Sequence, residues 1–541
     1  MILEYKFVYQ SNNNYFVEYI DNILKQKETK YYINREDENI FLYVEDEEER
    51  LLKISDELSN ELPISIFLKD FALEVVSQIP LINYQYTLDS CQKSYCSNCL
   101  AEIENKETTN YYNPFINCQL CGTTSNVKSL DIFENKEKVE FASFKNSFEF
   151  LASNIAHGKT IEIKNTNKSI YLKKIEKIEY ENQTVLCTDI NNLSKITVGS
   201  KQKNIMLLSL EKPIIEFNLN AIYKKNMQIE FDKINVIASW DLVIYLLSKE
   251  LQKLGIDFLS VEESSQETNL TVAYERELNL AKISVTENNI YILENTCYDK
   301  RLDKVYNSFN EKSKSQFMVL LDENKLYEKT VLNFFISSKY DDGINLYSSK
   351  IDGLVDIVKY NIPNSINELF ENIEKTENGD KLINSYKEKF PDIYTKAIAS
   401  NIDNNLNSIT NLWKIASIIL DLDDIFNTAK SCLLQKGPRI DYKLKKSDKL
   451  FNKEFDIVSF IKSGISFKLA GVEEKTLSLG YVESFIYFIS DLYDEVNEQF
   501  EVDGISFCGD YIGFENINKL ITKAFNKTSK LYYNKDFPIQ L

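Results

Sequence analysis

The chain has 541 residues, 43% hydrophobic and 27% charged, with a formal net charge of −19 and a single histidine. That length exceeds one core and implies about three or four folded domains. The acidity argues against a nucleic-acid binder, which needs a basic face. The lone His157 rules out a histidine-rich metal site. Five arginines (Arg35, Arg50, Arg276, Arg301, Arg439) are few for gripping phosphate in bidentate forks. The 14 glycines are never adjacent and never form GxG, which excludes a P-loop and a dinucleotide fingerprint. Val236 to Leu251, the most apolar stretch, is broken by Asp241 and Lys249 and suits a buried helix, so no membrane span is expected. The opening MILEYKFVYQ does not read as a signal peptide. Four of the nine cysteines are clustered, while Cys91, Cys187, Cys297, Cys432 and Cys508 are scattered, which implies a reducing cytoplasm rather than a disulfide framework.

Residues 1–87 predict a compact α+β unit. A strand near Tyr5 to Gln10 leads to a helix over Tyr15 to Lys25, then paired strands at Lys30 to Arg35 and Asn39 to Val44. A helix over Glu47 to Asn60 and a strand over Ser65 to Val76 complete a βαββαβ order, the ferredoxin-like pattern. Residues 88–128 form the next module. Cys96 and Cys99 sit in CSNC, 18 residues intervene, and Cys118 and Cys121 sit in CQLC. Two such knuckles supply four soft ligands for one tetrahedral Zn²⁺, and a site filled by four protein ligands is structural. Gly122 permits the left-handed turn that aims knuckle amides at sulfur. Tyr111, Tyr112, Pro114 and Phe115 are expected to supply the apolar cover that a small zinc module needs.

From 129 to 325 strands and helices alternate. A helix over Ser147 to His157 stops at Gly158, and strands are expected at Thr160 to Lys164, Ser169 to Leu172, Ile205 to Leu210 and Ile214 to Phe217. The region 326–541 opens with a hairpin, Val331 to Ser338 and Ile344 to Ser348, turning at Asp341-Asp342-Gly343. Helices dominate afterwards, with Trp413 to Leu420 and Val482 to Phe500 the clearest. The chain closes with strand Ile505 to Phe507, turn Cys508-Gly509-Asp510, helix Glu515 to Phe525 and strand Leu531 to Tyr533.

The run CSNCLAEI followed by NPFINCQLCG resembles the zinc-finger segment of the HypF family, the carbamoyltransferases of nickel-iron hydrogenase maturation. The resemblance implies an α+β multidomain chain over its whole length: an acylphosphatase-like ferredoxin fold (1–87), a four-cysteine zinc ribbon (88–128) with one finger where the family has two, a YrdC-like α/β domain (129–325) and a TsaD-like actin fold (326–541). It also implies carbamoyl phosphate, ATP with Mg²⁺, and a HypE-like protein partner of the maturation machinery. The positions that would serve the chemistry have changed. The family's phosphate loop VQGVGFRPFV is here VYQSNNNYFV (Val8 to Val17), with Asn14 at the arginine position, although Asn34 matches the family's catalytic asparagine. AHGKTIEIK (Ala156 to Lys164) is similar to a YrdC-like segment, but the glycine-rich run after it is NTNKSIYL (Asn165 to Leu172). Lys212-Pro213-Ile214 stands for the family's RPI.

In the last region Lys350 replaces a histidine in YSSKIDGL (Tyr347 to Leu354), and Asn401 and Asp403 stand at the Asp and His positions of IASNIDNNL (Ile398 to Leu406). In NLWKIASI, Asn411, Leu412 and Lys414 fall in the family's metal-binding histidine motif. Asp510 stands where a glycine would admit a phosphate. A carboxylate there repels the ligand.

Other residue-level candidates carry simpler readings. His157 fits a helix-end cap better than a general base, Cys508 a buried small hydrophobe better than a nucleophile, and Asp421, Asp423 and Asp424 a solvated helix end better than a Mg²⁺ site. The sequence thus points to a HypF-like, zinc-bearing maturation factor that acts through a partner and has lost catalysis. Its rival is a divergent carbamoyltransferase that still uses carbamoyl phosphate and ATP to make the hydrogenase cyanide precursor. The changed residues argue against ATP and Mg²⁺ as working cofactors.

Overall fold

Alternating burial builds the N-terminal sheet in the computed structural model, which describes residues 1–81, 84–87, 94–122, 129–287, 289–351, 353–402, 405–434, 436–449, 451–525 and 529–539. In β1 (Ile2–Tyr9), Leu3, Tyr5, Phe7 and Tyr9 share one buried face. Helix α1 (Tyr15–Lys25) covers it through Phe16, whose ring meets Phe7 edge-on at 5.5 Å. Helix α2 (Glu48–Glu61) buries Leu51, Ile54 and Leu58, and its Ser55 Oγ is hydrogen-bonded to the Tyr5 hydroxyl. With β2 (Lys30–Glu36), β3 (Asn39–Glu45) and β4 (Leu68–Val76), the antiparallel sheet runs β2-β3-β1-β4, as βαββαβ order requires.

The chain divides into two compact units, Met1–Val285 with Ile292–Tyr298, and Thr286–Tyr291 with Asp299–Leu541. Besides the N-terminal sheet, the first unit holds most of a mixed 12-stranded sheet, whose middle runs Lys233–Ile237, Thr184–Cys187, Phe258–Glu262, Ser169–Lys174, Ile161–Lys164. Helices Phe144–Ala156 and Leu242–Lys253 pack on each other within this unit. The strand expected at Ile205 to Leu210 is instead the end of a helix, Lys201–Leu207, whose Ser200 cap accepts the Lys203 N–H at 3.2 Å. A short apolar run does not distinguish the two states, and here the cap decides.

The second unit is built on a six-stranded sheet: Lys453–Glu454, Gly353–Lys359, Gly343–Ser348, Val331–Phe335, Gly504–Cys508, Leu531–Tyr532. The expected hairpin is present, and its first strand pairs in parallel with Gly504–Cys508. Both central strands are buried along their whole length, which places the turns at their ends, around 336–342 and 509–513, at the rim of the core. The helix predicted from Val482 starts earlier and spans Glu474–Phe500. Among the described residues no helix is long and apolar enough to cross a membrane.

Candidate metal centre and the loops that close on themselves

The four knuckle cysteines converge. Cys96 caps helix α3 (Ser97–Glu104) and Cys99 lies in its first turn, where the unpaired N–H groups favour negative sulfur. Sγ of Cys96 lies 3.6 Å from that of Cys99 and 3.7 Å from that of Cys118, and Sγ of Cys99 lies 3.6 Å from that of Cys121. A tetrahedron with metal–sulfur bonds of about 2.3 Å has edges of about 3.8 Å, so the spacing fits a bound ion. All four thiols are buried, and Gly122 adopts φ +65° as the knuckle turn requires. Among the described residues this is the one cluster of three or more His, Cys, Asp or Glu side chains able to hold a metal.

Polar anchors tie this module to the rest of its unit. Ser94 Oγ and the Tyr95 hydroxyl donate to the carbonyls of Trp240 and Ser239, each at 2.9 Å. Glu104 accepts from Tyr245 and Lys249 at 2.6 Å, and the buried Tyr112 hydroxyl donates to Glu250. On the other side Asn22 of α1 donates to the Leu120 carbonyl at 3.1 Å. The aromatic cover expected between the knuckles is thus partly a docking surface: Tyr112 reaches helix Leu242–Lys253 and Phe115 meets Phe144 at 5.8 Å. No sequence signal marked Glu104 or Glu250.

Carbonyl oxygens of the β1–α1 loop face a cation. Arg35 donates to the carbonyls of Ser11 and Asn13 and, at 3.2 Å, to Oδ1 of Asn14, and its guanidinium lies 5.8 Å from the Tyr9 ring centre. Asn34, the candidate for a catalytic amide, donates to Glu36 at 3.0 Å. Arg35 was the residue to notice, but a contact across more than 20 positions leaves no local pattern.

In the second unit, the turn at Asp510, which the resemblance assigns to a phosphate, bonds to the turn that follows the strand Val331–Phe335. The Ile336 N–H donates to the Cys508 carbonyl at 3.0 Å, and the Tyr511 N–H to the Ile336 carbonyl at 3.3 Å. Asp510 accepts the Ser338 N–H at 2.9 Å and the Ser338 hydroxyl. Gly509 is required at φ +90°, since an added Cβ would lie 2.2 Å from the Ile336 oxygen. Asp342 accepts from Ser337 N–H at 2.9 Å and Ile409 N–H at 2.6 Å, and burial pushes its carboxyl well above the usual range. The residues at the family's histidine positions do not converge: Lys350 pairs with Glu501 at 3.6 Å, Asn411 donates to the Leu406 carbonyl, Leu412 is core, and Lys414 is exposed. Asn401 is also exposed, and Asp403 lies outside the described residues.

A cavity of about 80 Å³ in the first unit is lined by Tyr15, Phe67, Glu211, Trp240, Arg276 and Leu278, among others. Glu211 accepts from the Tyr15 hydroxyl, Ser65 Oγ and the Ile66 N–H, and the indole N–H of Trp240 has no acceptor among the described residues. Lys212 does not line it. It is buried, donates to the Leu208 carbonyl at 2.8 Å over the Tyr95 ring, and desolvation lowers its ammonium to about 8.

The simpler readings of the remaining candidates fit their surroundings. His157 caps its helix, with Nδ1 2.7 Å from the Ser153 carbonyl. Asp421 pairs with Lys396 at 2.9 Å, and Asp424 caps the helix Ile425–Lys430. Cys508 donates to Asn333 at 3.2 Å, and burial pushes its thiol up to about 12. Cys187, Cys432 and Cys508 are free thiols and Cys91 lies outside the described residues. Among the described residues Cys297 alone is disulfide-bonded, which falls short of a disulfide framework.

These features define a mixed α/β multidomain protein that carries a buried four-cysteine centre. Its fold is that of HypF. The crystal structure of full-length HypF in the phosphate- and nucleotide-bound form superposes with a TM-score of 0.59 at 11% identity, covering 100% of this chain and 96% of that one. The HypF of T. kodakarensis gives 0.59 at 10% identity with the same coverage. Protein HydE of Wolinella succinogenes is 22% identical over 431 residues, 75% of each chain. No family profile matches the chain.

Proposed function

We propose that this protein is a HypF-like hydrogenase-maturation factor, cytoplasmic and zinc-bearing, that works by binding a protein partner of the HypE type and has given up carbamoyl transfer. The chain-wide HypF fold supports the assignment to maturation. One observation carries the loss of catalysis: the loops that should hold phosphate are occupied by the protein's own charges, Arg35 at Ser11–Asn14 and Asp510 at Ser338. Zinc is the metal that suits four buried thiolates in a closed tetrahedron. The proposed division is acylphosphatase-like 1–87, zinc module 88–128, YrdC-like 129–325 and TsaD-like 326–541.

The test is direct. Purified protein should contain about one zinc per chain and form no AMP or pyrophosphate from ATP when carbamoyl phosphate is added. Carbamoyl-phosphate-dependent AMP formation would refute the non-catalytic reading.

A second reading, a surviving carbamoyltransferase, draws on the cavity near Glu211 and Arg276, whose lining carries both a carboxylate and a guanidinium. Calorimetric titration with ATP and with carbamoyl phosphate separates the two, since the first reading expects no heat from either.

A further inference from the structure

The N-terminal sheet ends on β4, which among the described residues pairs only with β1. Directly across from Phe7, Tyr5 and Leu3 stand Phe71, Leu73 and Val75, so all six side chains share the face that α1 and α2 cover. The β1 residues are buried, yet Phe71, Leu73 and Val75 are 50%, 45% and 65% exposed. Leu52 of α2 and Ile64 in the α2–β4 connection are exposed too. A single exposed apolar residue needs no cause, but three in register on a strand edge that no other described strand pairs with form a template for another strand.

Charge identifies the occupant. Over residues 45–61, Glu45, Asp46, Glu57 and Glu61 pair with Lys30, Arg50 and Lys27, while Glu47, Glu48, Glu49 and Asp56 make no ion pair among the described residues, and the whole chain carries −19. Pairing β4 with β4 of a second copy would bring two such acidic segments together, which like-charge repulsion opposes. We propose that β4 is a docking edge for an extended, basic segment of another protein, which adds a strand, lays alternate apolar side chains over Phe71, Leu73 and Val75, and meets the acidic α2 with its cations. This stands without the proposed function, because it draws only on β4 and α2.

The probe is a fluorescent nonapeptide alternating valine and lysine, titrated into the full chain. Binding should saturate, weaken with added salt, and slow amide exchange within Leu68–Val76. The charge-neutral variant Leu73→Ser/Val75→Ser should keep its melting temperature and lose about tenfold or more in affinity. The proposal is overturned by equal binding of a peptide with the valines and lysines in separate blocks, by unchanged exchange in β4, or by no saturable binding. A concentration-dependent dimer that Leu73→Ser/Val75→Ser dissolves would overturn it in favour of a second copy.

Discussion

Arg35 donates its guanidinium N–H to the main-chain carbonyl of Asn13, so the loop between β1 and α1 is held by a cation from β2. The same side chain serves the carbonyl of the buried Ser11. Arg35→Ala leaves these oxygens without their donor and should cost about 2 kcal/mol, read as a lower urea midpoint. Arg35→Lys should recover only part of it, because one ammonium cannot reproduce a planar fork. Neither variant should gain acylphosphatase activity, since the loop still lacks a cation of its own at Asn14.

Removing the metal should loosen the first unit well beyond the four cysteines. Tyr95 and Tyr112 reach the chain around Ser239 and Glu250, and Asn22 reaches Leu120, so the module is docked on both sides. Cys96→Ser, Cys118→Ser or a strong chelator should abolish bound metal, lower the first melting transition and expose residues near Tyr111 to protease. Unchanged metal content in both serine variants would remove the four-cysteine assignment.

The parts legible in the sequence were those with short-range causes. The strands expected near Tyr5 to Gln10 and at Ser65 to Val76 are present as Ile2–Tyr9 and Leu68–Val76, and α1 has its expected limits, Tyr15 to Lys25. The CxxC spacing found the metal centre because all four ligands lie within 26 residues. Ile205 to Leu210 was misread because a short apolar run has no period, and Ser200 was not taken as a cap. The two occupied loops depend on partners far away in sequence, Arg35 with Ser11 and Asp510 with Ser338. The substitutions there were visible, but what fills the space could be learned only from the fold.

Alkylation should separate the remaining thiols. Burial pushes Cys187 and Cys508 up to about 12, and both are shielded, whereas Cys432 is partly exposed. Iodoacetamide at pH 8 should modify Cys432 and spare Cys187 and Cys508 in the folded chain, as mass spectrometry of the digested protein would report. Ready modification of Cys508 would reopen its reading as a nucleophile.

Glu323, at the end of the helix Lys312–Glu323, ties down the C-terminal segment. Its carboxylate accepts from the N–H groups of Asp536 and Phe537, each at 2.8 Å, from Lys535 at 3.1 Å and from the Asn534 amide at 3.2 Å. Burial, aided by the Asp536 charge, nevertheless raises its carboxyl from 4.5 to about 7. A raised folded value means that the native state holds this proton more tightly than the unfolded chain does. The stability it contributes is therefore complete below pH 4.5 and lost as the pH climbs through about 7, amounting to about 3 kcal/mol. Glu323→Gln cannot titrate, so the urea midpoint of the wild type should fall relative to that variant between pH 4.5 and 8. A difference that stays constant, or moves the other way, would show that the four N–H donors outweigh burial and keep the carboxylate ionised.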